Sequence, residues 1–396
     1  MTVETQNVAV VGGGVSGLAA AEALNRLAKI GTVQLFERQE YDDKRVNCGE
    51  AINDASLIPL KKTAANGFTN NIDGVELQVY ANSSCSAELL QTSRFPCGPG
   101  YICERDTVEM RWAERLKRSG VQITTGENIS ASAYNELINN HDYVIDATGQ
   151  PSLSIKSKNK TDMYSGQMVA LNATVSGNFE DSLNWPQIFF EGYLGYSWAF
   201  PKSRTTANVG IGWAGEERPN DYLAAFRAAA DRNSFPVPDR DQIRIDTIPR
   251  GPSLNPELAA FPDDGVYLVG DAAGIANRYQ GEGICQAIRS AYCLAALIDQ
   301  GVPETYPEEL YSLQRPEYRL AHLIRGVLIE HEESRVVASL VGALDGITVH
   351  EITRSPLEVA KQLLRYPTVV ARLFANRGML RRLRRCYTDN WEYKDC

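Results

Sequence analysis

Apolar, mostly β-branched residues fill Asn7-Val8-Ala9-Val10-Val11, stop at Gly12-Gly13-Gly14-Val15-Ser16-Gly17, and give way to the proline-free run Leu18-Ala19-Ala20-Ala21-Glu22-Ala23-Leu24. A continuous apolar run, a Gly-x-Gly-x-x-Gly set and a helical pattern predict strand, tight turn and helix in that order. Residues 32–36 read as a second strand, 120–125 as a short one, and 142–149 as another that ends in a small-residue turn. Between these, Val108, Trp112 and Leu116 recur at i, i+4 and i+8 in a helix that Arg105-Asp106-Thr107 opens and Ser119-Gly120 ends. Strand and helix alternating in this way predict a doubly wound parallel sheet.

Other stretches carry a different period. Val75-Glu76-Leu77-Gln78-Val79-Tyr80 alternates, an apolar patch follows over 87–90, and turn-rich Phe95-Pro96-Cys97-Gly98-Pro99-Gly100 closes the segment. That pattern predicts antiparallel strands inserted from another domain. The basic, polar residues 152–160 read as a loop crossing between domains, and 166–250 as mostly strand with one helix over 221–232. Tyr196, Trp198 and Phe200 alternate in a strand and share one face, which Pro201 ends. With Phe189, Phe190 and Tyr193 nearby, that face serves equally as ordinary core or as the wall of an apolar ligand site. Residues 265–274 form a buried strand ending near Asp271, 280–284 feed a helix over 285–298, and 303–396 read as helices. The expected division is a first domain from 1–71, 103–165 and 261–302, a second from 72–102 and 166–260, and a helical region over 303–396.

The glycine set gives the opening elements a chemistry. Gly12 permits a sharp turn, Gly14 permits close approach of a pyrophosphate, and Gly17 lets the helix pack on the strand, with Ser16 in its first turn. Glu37 stands at the end of the second strand, 20 positions past Gly17, where a carboxylate bonds a ribose hydroxyl. Arg38 beside it is compatible with NADP, but the acid in first place favours FAD or NAD. Cys48-Gly49 passes the reactive end of such a cofactor, although an isolated Cys is also commonly a small buried hydrophobe. Arg105 is either a surface charge or a cofactor contact from the far side. Asp271 can accept from a ribityl hydroxyl, and Gly281-x-Gly283-Ile284 aims a second helix N-terminus at the same place.

Composition narrows the rest. The chain has 396 residues, 43% hydrophobic and 22% charged, enough for a large core in two or three lobes. A net charge of -9 argues against nucleic acid as a partner. None of the eight cysteines shows zinc-ligand spacing, so no metal is expected. A cradle strand starting at residue 7 leaves no room for a cleavable signal, and free thiols in a reducing cytoplasm are expected. No window of 18 uncharged apolar residues predicts a spanning helix. The arginine-rich residues 365–385, with Pro367 suited to a first helical turn, form either a solvated face or a surface for anionic lipid.

The cradle with Glu37, Arg105 at a helix start, Asp146-Ala147-Thr148-Gly149, and Gly270-Asp271 with Gly281-x-Gly283-Ile284 together resemble the FAD-dependent group with the para-hydroxybenzoate hydroxylase fold. Cys48-Gly49-Glu50-Ala51 and Tyr196-x-Trp198-x-Phe200-Pro201-Lys202 further resemble the geranylgeranyl reductase family, especially its archaeal lipid-reducing branch, and the resemblance spans roughly 7–300. It implies an α/β fold: a Rossmann-like FAD-binding domain, an inserted antiparallel β substrate domain and a C-terminal helical region. It also implies reduction of isoprenoid double bonds in geranylgeranyl diphosphate or geranylgeranyl ether lipids. Glu37, Arg105 and Asp271 carry over as FAD contacts, and Cys48 to Ala51 with Gly283 and Ile284 lie by the isoalloxazine. Tyr196, Trp198, Phe200 and Pro201 line the prenyl site, with Cys48 as proton-relay candidate and Cys285 as its conceivable redox partner. An external electron donor, ferredoxin or NAD(P)H, is implied, with a cytoplasmic location or attachment to the inner membrane face. Arg278 stands where that family usually has a proline. The competing readings are an FAD-dependent monooxygenase or halogenase acting on an apolar substrate, and a flavin-containing membrane-surface protein without turnover.

Overall fold

The computed structural model of the chain describes residues 5–81, 88–164, 167–191, 195–213, 221–249, 258–277, 281–330, 334–375 and 381. The opening pattern folds as predicted: β1 (Gln6–Val11), α1 (Val15–Leu24) and β2 (Ile30–Phe36). They are followed by β3 (Ala51–Ile52), β4 (Phe68–Tyr80), β5 (Leu89–Cys103), α2 (Arg105–Arg118), β6 (Gln122–Thr124), α3 (Ala131–Asn140), β7 (Tyr143–Asp146) and α4 (Leu153–Ser157). Then come β8 (Gln167–Ser176), β9 (Gln187–Phe190), β10 (Gly195–Pro201), β11 (Thr206–Trp213), α5 (Tyr222–Arg232), β12 (Arg244–Pro249), β13 (Ala260–Phe261) and β14 (Val266–Leu268). Helices α6 (Ile284–Gln300), α7 (Tyr306–Glu330), α8 (Ser334–Ala343), α9 (Val349–Arg354), α10 (Pro356–Leu363) and α11 (Pro367–Phe374) complete the described chain.

The strands form two sheets. The first runs β13-β14-β7-β1-β2-β6, parallel except at its β13 edge, so strands drawn from three distant parts of the chain lie side by side. Helix α1 is almost entirely buried against this sheet and α6, which its run of alanines permits. The second sheet runs β12-β8-β11-β10-β9-β4-β5-β3 and is antiparallel except where β4 meets β9. Helix α5 covers one part of it, with Phe226, Ala229 and Ala230 in the core, and α8 covers another. Asp221 caps α5 by accepting from the N–H groups of Leu223 and Ala224.

Two sequence expectations are corrected. Residues 95–100 do not close the segment as a turn, because β5 runs through them for 15 residues. Pro96 and Pro99 fit a strand because β5 bulges there: Ile72 opposes Gly100 and Gly74 opposes Pro96, so the three residues 97–99 of β5 face Asp73 alone. The Asp73 N–H bonds Asn184 O at 2.9 Å instead, so no donor is lost. Residues 152–160 are not simply a loop either. Ser152 caps α4 by accepting from the Ile155 N–H, which lets a single helical turn form in a polar stretch. Pro367 opens α11 as expected, while 376–380 and 382–396, with much of the arginine-rich stretch, lie outside the described residues.

Candidate functional site

The C-terminal ends of β1, β7 and β14 converge under the second sheet, the place where open parallel sheets bind ligands. A cavity of about 470 Å³ lies there. Gly12 turns with φ of +106°, and a Cβ on it would meet Ala147 O at 2.3 Å. At Gly17 a Cβ would sit 1.8 Å from Gly12 O, so helix and turn touch through bare backbone. Gly14 and Ser16 line the cavity. Helix α1 has neither a capping side chain nor an acid in its first turn, and α6, starting after Gly283, shares both properties. Two sets of unshared N–H groups therefore face one cavity, which suits the phosphates of a dinucleotide.

Charge at the cradle is arranged by Glu37, Arg105 and Asp271 together with two residues that the sequence did not single out, Lys44 and Glu109. Glu37 accepts from the N–H groups of Gly13 at 2.9 Å and Gln39 at 3.0 Å, and from Lys44 Nζ at 2.8 Å. Burial alone would raise the Glu37 pKa, but the Lys44 charge and these donors take it below the ordinary carboxylate value. Lys44 also pairs with fully buried Glu109 at 3.0 Å, and Glu109 accepts from Arg105 Nε at 3.0 Å. Burial opposes the Arg105 charge, yet Glu109 and Cys48 outweigh it and hold the guanidinium charged. Asp271 shares the cavity; burial raises its pKa, Arg105 offsets part of the rise, and Asp246 adds to it. The i,i+4 spacing of Arg105 and Glu109 was a readable signal for their pairing. Lys44, in a polar loop, offered none.

Arg38, Cys48, Gly49, Gly281, Gly283 and Ile284 also line the cavity. From β10 only Trp198 reaches it. Tyr196 and Phe200 flank that indole at centroid distances of 5.9 and 6.1 Å, and the three make a continuous aromatic face. Ala51 pairs with Ile102 in β5 and packs against this face, and Pro201 ends β10 with its carbonyl accepting from Asn70 Nδ2. Tyr193 and Arg278 lie outside the described residues. Cys285 does not carry the features of a reactive thiol: it is buried, bonds Asn53 Oδ1 at 3.0 Å, and burial pushes its pKa up.

A buried polar knot joins the Cys48 loop to the aromatic face. Asn208 of β11 donates to Cys48 O at 2.9 Å and to Glu50 Oε2 at 3.0 Å, and accepts from Trp198 Nε1 at 2.9 Å. Lys202 Nζ reaches Glu50 at 2.6 Å and Glu104 at 2.8 Å. Burial raises the Glu50 pKa, and Lys202 only partly offsets it. The Glu50 N–H donates to Cys48 Sγ at 3.2 Å, with Glu50 itself at φ of 64°. A Cβ at Gly49 would meet the Phe200 ring at 3.3 Å and the Trp198 indole nitrogen at 3.6 Å, so the loop lies directly on the rings. The arrangement can hold a planar cofactor end between Cys48 and Ile284, with an apolar wall beside it.

No family model matches the chain. Over 101 residues it is 41% identical to the digeranylgeranylglycerophospholipid reductase of Methanosphaerula palustris, an alignment covering 24% of this chain and 23% of that one. Longer alignments reach proteins of the same name: 27% identity to that of Thermoplasma acidophilum, over 76% of this chain and 79% of the other, and 26% to that of Thermoplasma volcanium, over 93% and 99%. Among solved structures, a geranylgeranyl bacteriochlorophyll reductase-like protein from Thermoplasma acidophilum superposes with a TM-score of 0.67 at 21% identity, covering 94% of this chain and 99% of the other. A flavin-dependent halogenase superposes at 0.63 and 16% identity, covering 94% and 78%. The chain is thus an oxidoreductase homologous to proteins named digeranylgeranylglycerophospholipid reductase, carried on the fold of flavin-dependent enzymes.

Proposed function

We propose that the chain binds FAD in this cavity and saturates isoprenoid double bonds of geranylgeranyl diphosphate or geranylgeranyl ether lipids. The observation that carries this reading is the continuity of the dinucleotide cradle with the aromatic face, through Trp198, Gly49 and Cys48. The residues present fit the cofactor. Gly12, Gly14, Ser16 and Gly17 hold the pyrophosphate turn, Glu37 the ribose, and Arg105 and Asp271 the middle of the molecule. Cys48, Gly49, Ala51, Gly281, Gly283 and Ile284 surround the ring end. When bound and reduced, the flavin supplies a hydride. The chain supplies alignment and exclusion of water: Tyr196, Trp198, Phe200 and Pro201 guide the prenyl chain, and Cys48 is placed to relay a proton.

Electrons come from an external donor, ferredoxin or a transiently docked NAD(P)H. Substrate reaches the site from a membrane surface: α10 has no buried residue, and Leu357 and Leu364 are 65% and 73% exposed close to Lys361, Arg365 and Arg372. None of the described helices is long and apolar enough to cross a membrane. The test is anaerobic incubation of reduced, FAD-loaded protein with either prenyl substrate, followed by mass spectrometry. Two hydrogens gained per double bond support the reading; a product formed only with oxygen refutes it.

A further inference from the structure

Among the described residues that line the cofactor cavity, the buried polar side chains are Ser16, Glu37, Glu109 and Asn172. Glu37 and Glu109 hold ion pairs, whereas Ser16 and Asn172, both more than nine-tenths buried, make no side-chain hydrogen bond among the described residues. Buried polar groups ordinarily have partners, so each of the two points to a ligand. Ser16 stands at the pyrophosphate turn. Asn172 stands in β8, where Leu171 and Ala173 face the core under α5, so Ala170 and Asn172 share the other face; there Ala170 packs with Trp198 and Phe200. One row of cross-strand partners runs Trp198, Gly210, Asn172, Arg244 across β10, β11, β8 and β12. A Cβ on Gly210 would meet the Trp198 indole at 2.1 Å, so the indole covers Gly210, the neighbour of Asn172 in that row. Loop 46–49 is fastened on both sides of Asn172: Arg244 Nη1 donates to Val46 O at 3.3 Å, and a Cβ on Gly49 would sit 3.6 Å from the Trp198 indole nitrogen. The amide therefore lies beside the loop assigned to the ring end of the cofactor. A hydrocarbon chain cannot satisfy a buried amide. A flavin ring can, since its polar edge carries two carbonyls and an N–H.

We propose that Asn172 is a cofactor contact: its side-chain NH2 donates to a carbonyl on the polar edge of the isoalloxazine and so fixes the ring between loop 46–49 and the second sheet. This rests on the FAD-dependent reductase reading. It divides that face of the sheet into two halves. Tyr196, Trp198 and Phe200 on β10 serve the prenyl chain and Asn172 on β8 serves the ring, with Gly210 and Gly212 of β11, which have no side chains, between them. A ring held by one edge keeps a single orientation towards the chain it reduces, and transfer between two bound partners depends on that alignment.

N172L, of the same branched shape but apolar, separates this role from a structural one in the full chain. Stripped of FAD, N172L should melt no lower than wild type, because the amide it removes has no partner to lose and its neighbour Ala170 is apolar. Its Kd for FAD, from titration of the stripped protein, should rise about 3–10-fold. With FAD carrying carbon-13 at the ring carbonyls, Raman spectra of the oxidised, substrate-free complex should show one carbonyl stretch at higher wavenumber in N172L, the mark of a lost hydrogen bond. A lower melting temperature without FAD makes Asn172 a structural group and overturns the proposal. Unchanged carbonyl bands, or an affinity within about twofold of wild type, also overturn it and leave the reductase reading standing, whatever happens to the KM for geranylgeranyl diphosphate. A wild type that takes up no FAD overturns both. Should N172L fail to fold, N172D keeps the size and removes the NH2 donor, and its carbonyl bands and FAD affinity decide in the same way.

Discussion

Replacing Asn208 with leucine roughly keeps its volume and deletes the three hydrogen bonds that tie the Cys48 loop to Trp198 and Glu50. Asn208 is 2% exposed, so water cannot take its place. The Trp198 N–H and the Cys48 carbonyl each lose this partner, whereas Glu50 keeps Lys202 at 2.6 Å. At about 1–3 kcal/mol for each of the two buried neutral groups left unpaired, the substitution should cost about 2–6 kcal/mol. Among the described tryptophans, Trp198 and Trp213 are buried in the second sheet and Trp185 packs at Gly74 of β4, against Trp112 alone in the core of the first. Tryptophan fluorescence during urea unfolding should therefore report mainly the second lobe. At a slope of roughly 2 kcal/mol per M, the midpoint should fall by about 1–3 M. Because the loop also lies on the rings, alkene reduction should drop by more than tenfold while flavin content stays near wild type. A midpoint shift under about 0.3 M with unchanged reduction would refute the reasoning.

For Gly17→Ala, the new Cβ meets Gly12 O at 1.8 Å, so α1 must move off the turn; protein purified in the presence of FAD should carry none, by absorbance. Lys44→Met strips the cation from Glu37 and Glu109. The folded Glu37 pKa lies below its unfolded value, so its contribution is present above about pH 4.5 and is lost as pH falls through the folded pKa. Without Lys44 the folded pKa rises, so melts should show acid destabilisation starting at higher pH than in wild type. Cys48→Ser should slow alkene reduction and leave cofactor reduction by the donor intact; measured separately, unchanged alkene reduction removes Cys48 from the chemistry.

What was legible in the chain was local. The β1–α1–β2 unit, Glu37 at the end of its second strand, the helix over 221–232 and the glycines before α6 are each written in about 30 consecutive residues or fewer, and periodicity or turn chemistry exposes them. Tyr196, Trp198 and Phe200 were placed on one face by the period of two alone, and the structure shows that face reaching the cradle through Trp198. The polar knot was not legible. Asn208 meets Cys48 across 160 positions, and Lys202 meets Glu104 across 98, separations at which no pattern marks a partner. The path of β5 through two prolines was hidden for a related reason: the missing donors are excused by a bulge of β5 against Asp73, which shows only once β4 is paired with it.

The order of strands in the first sheet bears on synthesis. β7 sits between β1 and β14, so when residue 146 leaves the ribosome its free edge waits for residue 266. At translation rates of 5–20 residues per second that interval is roughly 6–24 s. During it the nascent chain presents an unpaired, apolar parallel edge whose native partner does not yet exist. A stall or truncation between those points would leave a half-built sheet for chaperones to shield or proteases to clear, and slow codons there would lengthen the exposure.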